Sequence, residues 1–185
     1  MESPEPNKTD SRRLMRLAKG GDRAAFAEVY DRYFTPVYRY IFFRVRSRAE
    51  AEDLTQAVFL KAYEAIERFE DRGKEPLAYF FTIARNAIIN FWRKKKEFLT
   101  EKPEHDFHER GGALDIEDDL EVKESVTIIR KGLSLLTDEQ AEVISLKFIS
   151  ELSNKEIAEA LGKSEEAVRQ LQSRGLRELR KHLSQ

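Results

Sequence analysis

The stretch SNKEIAEALGKSEEAVRQLQSRGLRELRK, residues 153–181, packs two helix starts and one chain reversal into a short span. Ser153 followed by Glu156 has capping-box spacing, in which a hydroxyl and a carboxylate satisfy free N–H groups at a helix start. Ile157, Ala158 and Leu161 then fall on one face, Gly162 stands where the chain must reverse, and Ser164 opens a longer helix as its N-cap. Short helix, tight turn and longer helix together make helix-turn-helix grammar. On the longer helix Val168, Leu171, Gly175, Leu179 and Leu183 lie toward one side, with Gln170, Ser173, Arg174, Arg177 and Lys181 toward the other. Gln172 falls on the inward side. Arg and Gln on an exposed helix can read base edges in a major groove, Arg bidentate to guanine and Gln to adenine. The competing reading of the same residues is a solvated face on a helical hairpin.

Working outward, Thr137 and Gln140 form a second capping box and fix another helix start just upstream. In the N-terminal half, Phe26, Val29, Tyr30, Tyr33, Val37, Ile41 and Val45 recur at helical spacing, and Pro36 predicts a kink or break near Thr35. A second stripe runs through Leu54, Val58, Ala62 and Ile66, flanked by Phe59, Tyr63 and Phe69, and stops at the breakers Gly73 and Pro76. A third, from Leu77 through Phe80, Phe81, Ala84, Ala87, Ile88 and Phe91, runs into RNAIINFWRKKK, residues 85–96. Most of these aromatics read as core, because helical spacing is what burial requires.

The only Trp beside four consecutive cations admits three readings: a helix end whose charges suit the C-terminal dipole, an amphipathic membrane-surface segment, or a nucleic-acid platform joining phosphate neutralisation to aromatic stacking. Phe91 and Trp92 are neighbours about 100° apart on a helix, so one of them points away from any such platform. Either can be the stacking surface.

Composition narrows the field. In 185 residues, 41% hydrophobic content is enough to build cores, and 36% charged residues with scarce Gly and Pro favour an all-α chain. The absence of Cys removes disulfides, thiolate metal sites and thiol nucleophiles, and fits a reducing cytoplasm. The polar start MESPEPNKTDSRR lacks a signal-peptide core, and no run approaches the roughly 20 apolar residues of a membrane span. A soluble, cytoplasmic chain is expected. With no phosphate loop and three scattered His, an enzyme is the least favoured class, and no cofactor or metal is expected. His105 and His108 lack a well-placed third ligand and read as solvated.

The formal net charge of −1 conceals an acidic segment. From Glu97 to Glu124 acids dominate, and Pro103, Gly111 and Gly112 interrupt any helix, so a mobile, self-repelling tether is expected. The chain thereby divides into a polar N-terminus at residues 1–12, expected to be disordered, a helical domain at 13–96, an acidic linker at 97–118 and a helix-turn-helix domain at 119–185.

In that order the segments resemble bacterial RNA polymerase sigma factors of the extracytoplasmic-function type. AEDLTQAVFLKAYEAIERF, residues 51–69, looks like the family's core-polymerase-binding helix; FFTIARNAIINFWRKKK, residues 80–96, resembles its promoter-melting and minus-ten helix; LSLLTDEQAEVISLKF with the helix-turn-helix resembles its minus-thirty-five domain. The resemblance spans the chain from about Leu14 to Leu183 and implies a region 2-like bundle and a region 4-like domain.

Carried over by motif, Asp53, Leu54 and Gln56 match the family's polymerase-binding signature. Arg85 and Asn86, followed by Asn90, Phe91, Trp92, Arg93 and Lys94, match the segment that holds melted non-template strand, and residues 70–75 fall where the family captures a flipped base. Ser164, Arg169, Gln170, Ser173, Arg174, Arg177 and Lys181 are implied for minus-thirty-five duplex. The implied partners are core RNA polymerase, promoter DNA and an anti-sigma factor. Tyr79 stands where many relatives have Trp, which leaves open that Trp92 is a relocated core aromatic with no role on DNA; on the recognition helix Gly175 stands where Ala is commoner, so base specificity does not transfer. The alternatives are a helix-turn-helix repressor or activator that binds duplex without polymerase, and a helical adaptor that touches no nucleic acid.

Overall fold

Residues 8–45, 47–71, 75–101 and 120–183 are described by the computed structural model, and among them every regular element is a helix. Helix α1 (Lys8–Lys19) begins ahead of the boundary read from the sequence and lays Leu14, Met15 and Ala18 against its neighbour. Arg32 ties the pair together by donating to Asp10 and to Ser11, both at 2.9 Å. The Gly20–Gly21 turn follows, with Gly21 at φ +93°, a conformation that suits glycine. Asp22 then caps α2 (Arg23–Arg44) by accepting from the Ala25 N–H at 3.0 Å.

The break expected at Pro36 does not occur. Helix α2 runs through it, although Pro36 lacks the N–H that would reach the Arg32 carbonyl. Burial on both sides overrides the local penalty: Val29 and Tyr33 precede the proline, Val37, Tyr40 and Ile41 follow it, and all are almost fully enclosed.

Ser47 caps α3 (Arg48–Glu64), which ends in a single 3-10 turn, Ile66–Arg68. Helix α4 (Pro76–Glu101) starts on Pro76, whose missing N–H costs nothing at a first helical position. Phe80 and Phe81 are the hub of this unit. Phe80 meets Tyr33 and Phe59 at ring separations of 5.5 and 5.1 Å, and Phe81 meets Tyr40 edge-on at 5.3 Å. Each buried aromatic of this kind contributes on the order of 1.5–3 kcal/mol by removal from water.

The second unit holds α5 (Leu120–Ser134), α6 (Asp138–Ile144), a π-helical turn (Ser145–Ile149), α7 (Asn154–Leu161) and α8 (Glu165–Leu183). Both expected capping boxes form, at Thr137 with Gln140 and at Ser153 with Glu156. Gly162 reverses the chain at φ 63°, the left-handed C-cap that separates α7 from α8. Gly175 is a close-approach residue: a Cβ there would stand 3.1 Å from Ile144 Cγ1, so α8 seats directly on α6. Gln172 turns inward as expected and donates to Asn154 Oδ1 at 2.8 Å.

The two units dock. Their buried residues form one contiguous cluster, from Leu14 and Tyr40 through Phe81 to Val143, Ile157 and Val168, with a smaller satellite of Leu133, Ala141 and Ile144. Of the linker read from the sequence at 97–118, residues 97–101 instead continue α4 as its last turn; its remainder, the His105 and His108 pair and the segment 72–74 lie outside the described residues.

Candidate functional site

Three helices carry the residues singled out above, and the structure treats them differently. On α3, Asp53 and Gln56 are exposed while Leu54 is half-buried against the core. One and two turns further along, Ala57 and Leu60 continue the same outward ridge, and Leu60 is 59% exposed. Val58, Phe59 and Ala62 hold the opposite face inward. The ridge is thus polar at its start and apolar at its end, a composition suited to a partner helix.

On α4 the sequence-derived set splits between faces. Asn86, Asn90, Arg93 and Lys94 are exposed. Arg85 and Trp92 instead line a groove of roughly 1040 Å³ between the two units, together with Arg44, Ile89 and Arg130. The Phe91 and Trp92 alternatives separate here. Phe91 packs against the core, whereas Trp92 is 37% exposed and its Nε1 donates to the Arg44 carbonyl at 3.3 Å. Lys95 turns inward to Glu50 at 3.0 Å and covers both rings, with Nζ 5.2 Å from the Phe91 centroid and 5.5 Å from that of Trp92. The basic run is therefore not one uniform strip of cations.

Arg85 is the most constrained of the set. Its Nε donates to Glu142 Oε1 at 2.8 Å, and the Tyr40 hydroxyl donates to the same oxygen at 3.1 Å. Glu142 belongs to α6 and is only 6% exposed, while Arg85 keeps 44% of its side chain in solvent. Burial, reinforced by the Glu142 carboxylate, pushes the Tyr40 phenol far above its ordinary value, so the hydroxyl remains a donor to Glu142. Near the start of α4 a smaller hollow of roughly 340 Å³ is lined by Arg68, Phe69, Glu70, Tyr79 and, from α7, Glu159.

On α8 the polar row is turned to solvent. Arg169, Gln170, Ser173, Arg174, Arg177 and Lys181 are all exposed. Ser164 caps the helix by accepting from the Ala167 N–H at 3.1 Å. Arg169 pairs with Glu165 and Glu166, and Lys181 with Glu178, whereas Arg174 and Arg177 project between these pairs. Glu166 and Glu178 are held below the usual carboxylate range by hydrogen bonds from Arg169 and Lys181 respectively.

Sequence reasoning missed Glu142 altogether. An acid inside EQAEVISL reads as the solvated side of a short helix, yet Ala141, Glu142, Val143 and Ile144 are all buried because a second unit covers the remaining face. It also passed over Leu60, which sits in the polymerase-helix motif but falls on its outward side.

Comparison with known proteins gives this architecture its class. Residues 29–98 match the Sigma-70 region 2 family and residues 132–181 the Sigma-70 region 4 family. The ECF RNA polymerase sigma factor SigX of Bacillus subtilis is 33% identical over 162 residues, covering 85% of this chain and 83% of SigX. BldN of Streptomyces coelicolor, also an ECF sigma factor, is 34% identical over 174 residues, covering 92% of this chain. The match spans 66% of the length of BldN. Among solved structures, CnrH in complex with the cytosolic domain of CnrY shares the fold at TM-score 0.75 and 21% identity, covering 95% of this chain and 97% of CnrH. The chain belongs to the ECF family of RNA polymerase sigma factors. Among the described residues, no helix is long and apolar enough to cross a membrane.

Proposed function

We propose that the chain binds core RNA polymerase in the cytoplasm and directs initiation at promoters carrying a minus-ten and a minus-thirty-five element. The observation that supports this most is the pairing of two sigma modules in one chain with a separate outward face on each: the α3 ridge of Asp53, Gln56 and Leu60, and the α8 row around Arg174 and Arg177. The domain from residue 13 to 96 docks on polymerase through α3. A carboxylate and an amide on one face can hydrogen-bond a partner helix, and Leu60 adds apolar burial.

Helix α4 then holds the separated strand. Asn86, Asn90, Arg93 and Lys94 offer donors to backbone and bases, and Trp92 is the exposed aromatic of its pair, so stacking falls to it rather than to Phe91. Aromatic stacking can return roughly 1–3 kcal/mol per base for the duplex stacking lost on melting. The domain from residue 119 to 185 lays α8 in the major groove, where Arg174 and Arg177 reach base edges and phosphates. No chemical step is assigned to the chain itself, since phosphoryl transfer belongs to the polymerase. CnrH is solved in complex with the cytosolic domain of CnrY, and an anti-sigma factor is proposed for this chain because exposed apolar and basic surfaces invite a masking partner.

The test is reconstitution. With purified bacterial core polymerase the wild-type chain forms a holoenzyme, and Asp53→Ala with Gln56→Ala lowers its affinity for core by about 100-fold or more, the loss of two charge-assisted or desolvated contacts. Tight, specific duplex binding by the isolated chain, with no association with polymerase, would instead support the repressor reading.

A further inference from the structure

Ser47 and Glu50 have the spacing of a capping box at the start of α3, but the Glu50 carboxylate does not turn back to close it. Ser47 Oγ accepts from the Glu50 N–H at 3.3 Å, while the Glu50 side chain crosses to α4. There its Oε1 accepts from Lys95 Nζ at 3.0 Å, the two side chains being 30% and 19% exposed. Oε2 is enclosed and, among the described residues, takes no hydrogen bond. The Lys95 ammonium thus compensates a partly desolvated carboxylate, which makes the pair costly to separate.

The pair withdraws one cation from the basic run and sets it on the neighbouring aromatics. Lys95 Nζ stands over both rings, 5.2 Å from the Phe91 centroid and 5.5 Å from that of Trp92. Phe91 meets Trp92 nearly edge-on, at 5.2 Å and 76°, and is itself packed against the core. The indole Nε1 donates to the Arg44 carbonyl at 3.3 Å. Trp92 is therefore held at its N–H edge, against an anchored ring and across one face, and still keeps 37% of its surface in solvent.

We propose that Glu50 is a positioning residue for strand opening: through Lys95 it covers one face of Trp92 and fixes the ring, so that the other face is ready for an unpaired base. The proposal rests on the reading of Trp92 as the stacking aromatic. A ring fixed beforehand loses less freedom when a base stacks on it, and more of the stacking energy is left for opening the duplex. Glu50 lies on α3 one turn ahead of Asp53, so the helix assigned to polymerase docking also orients the stacking ring. Lys95 then acts on the melted strand through the ring, and the exposed Arg93 and Lys94 are the phosphate contacts of the run.

Simple electrostatics and positioning predict opposite signs for one isosteric change. Glu50→Gln removes a negative charge beside the strand and frees a cation, which by charge alone strengthens DNA binding and steepens its salt dependence. Positioning predicts instead that holoenzyme carrying Glu50→Gln opens a promoter fragment about tenfold less well, within what one stacked base supplies, read as permanganate reactivity of the melted thymines. Affinity for core polymerase stays at the wild-type value, since Asp53 and Gln56 are intact. Lys95→Met keeps an apolar stem over the rings without the ammonium and lowers opening similarly; the double variant opens no worse than Lys95→Met alone, because the two side chains act through one contact. The chain's only Trp gives a second readout. In the free full-length chain Glu50→Gln enlarges the fast component of the Trp92 anisotropy decay and increases quenching by acrylamide. Opening that is unchanged or improved by Glu50→Gln overturns the proposal, as does an indole no more mobile than in the wild-type chain. Trp92→Ala isolates the underlying reading: promoter opening at the wild-type level in that variant counts against stacking by Trp92, while the anisotropy of Glu50→Gln still decides whether the pair holds the ring.

Discussion

Helices α4 and α8 are built alike and end up in different circumstances. Each has one apolar face against its own unit and one face rich in Arg, Asn, Gln or Lys. Among the described residues, that second face on α8 meets solvent and short-range Glu partners one turn away. On α4 it is divided: Asn86, Asn90, Arg93 and Lys94 are open, while Arg85 and Trp92 look into the groove beneath the other unit. Amphipathic spacing identifies which face of a helix is polar. It does not say whether that face is bare, because cover comes from residues far away in sequence, here Glu142 on α6.

The strongest way to break the contrast is to remove what lies beneath α4. Phe80→Ala empties the centre of an aromatic cluster and is expected to destabilise the chain by about 3–5 kcal/mol in chemical denaturation. Because the buried residues of both units form one cluster, fluorescence and circular dichroism should report a single, earlier transition rather than selective loss of the first unit. Beneath α8 the corresponding probe is Gly175→Val. A side chain there meets Ile144 within 3.1 Å before its branches are counted, and overpacking of this kind costs about 1–3 kcal/mol. Duplex binding should fall with it, since α8 can no longer seat on α6.

Surface substitutions sharpen the contrast without touching the cores. Arg174→Ala and Arg177→Ala are each expected to weaken duplex binding by the holoenzyme, by about 1–3 kcal/mol where the residue reads a base, or with a salt slope lower by about 1 where it neutralises a phosphate. Arg85→Ala should leave that upstream contact unchanged. Potassium permanganate footprinting of the melted region, beside a mobility shift on upstream duplex, distinguishes the two.

The smallest effect expected is on alkaline stability. Burial raises the Tyr40 and Tyr33 phenols well above their ordinary value of 10.0, with Glu142 and Glu75 respectively adding to the effect. The folded state therefore holds these protons more tightly than the unfolded chain. Stability from this source is fully present below about pH 10 and is lost as pH rises above it, where the unfolded chain releases its protons first. Denaturant midpoints between pH 8 and 11 should be flat and then fall, and Tyr40→Phe should shrink the fall.

Much of the architecture could be read from residues alone, for local reasons. Capping boxes at Thr137 and Ser153, the reversal at Gly162 and the three apolar stripes all act over a few residues, and all appear where expected. Pro36 misled because its helical penalty is local, while the burial of Val29, Tyr33, Val37 and Tyr40 that outweighs it is not. Phe91 and Trp92 could not be separated by phase; the Glu50 carboxylate drawing Lys95 across both rings and the Arg44 carbonyl receiving the indole N–H make the difference. The same holds for Glu142, whose partners Tyr40 and Arg85 lie 102 and 57 residues away.

The claim that two modules divide the labour of initiation is tested most directly by transcription from a genomic template library with purified core polymerase and this chain, reading the ends of the transcripts. Start sites should share two spaced upstream elements, with the distal one losing its influence when Arg174 and Arg177 are replaced together. Transcript ends identical to those made by core polymerase alone would contradict the account.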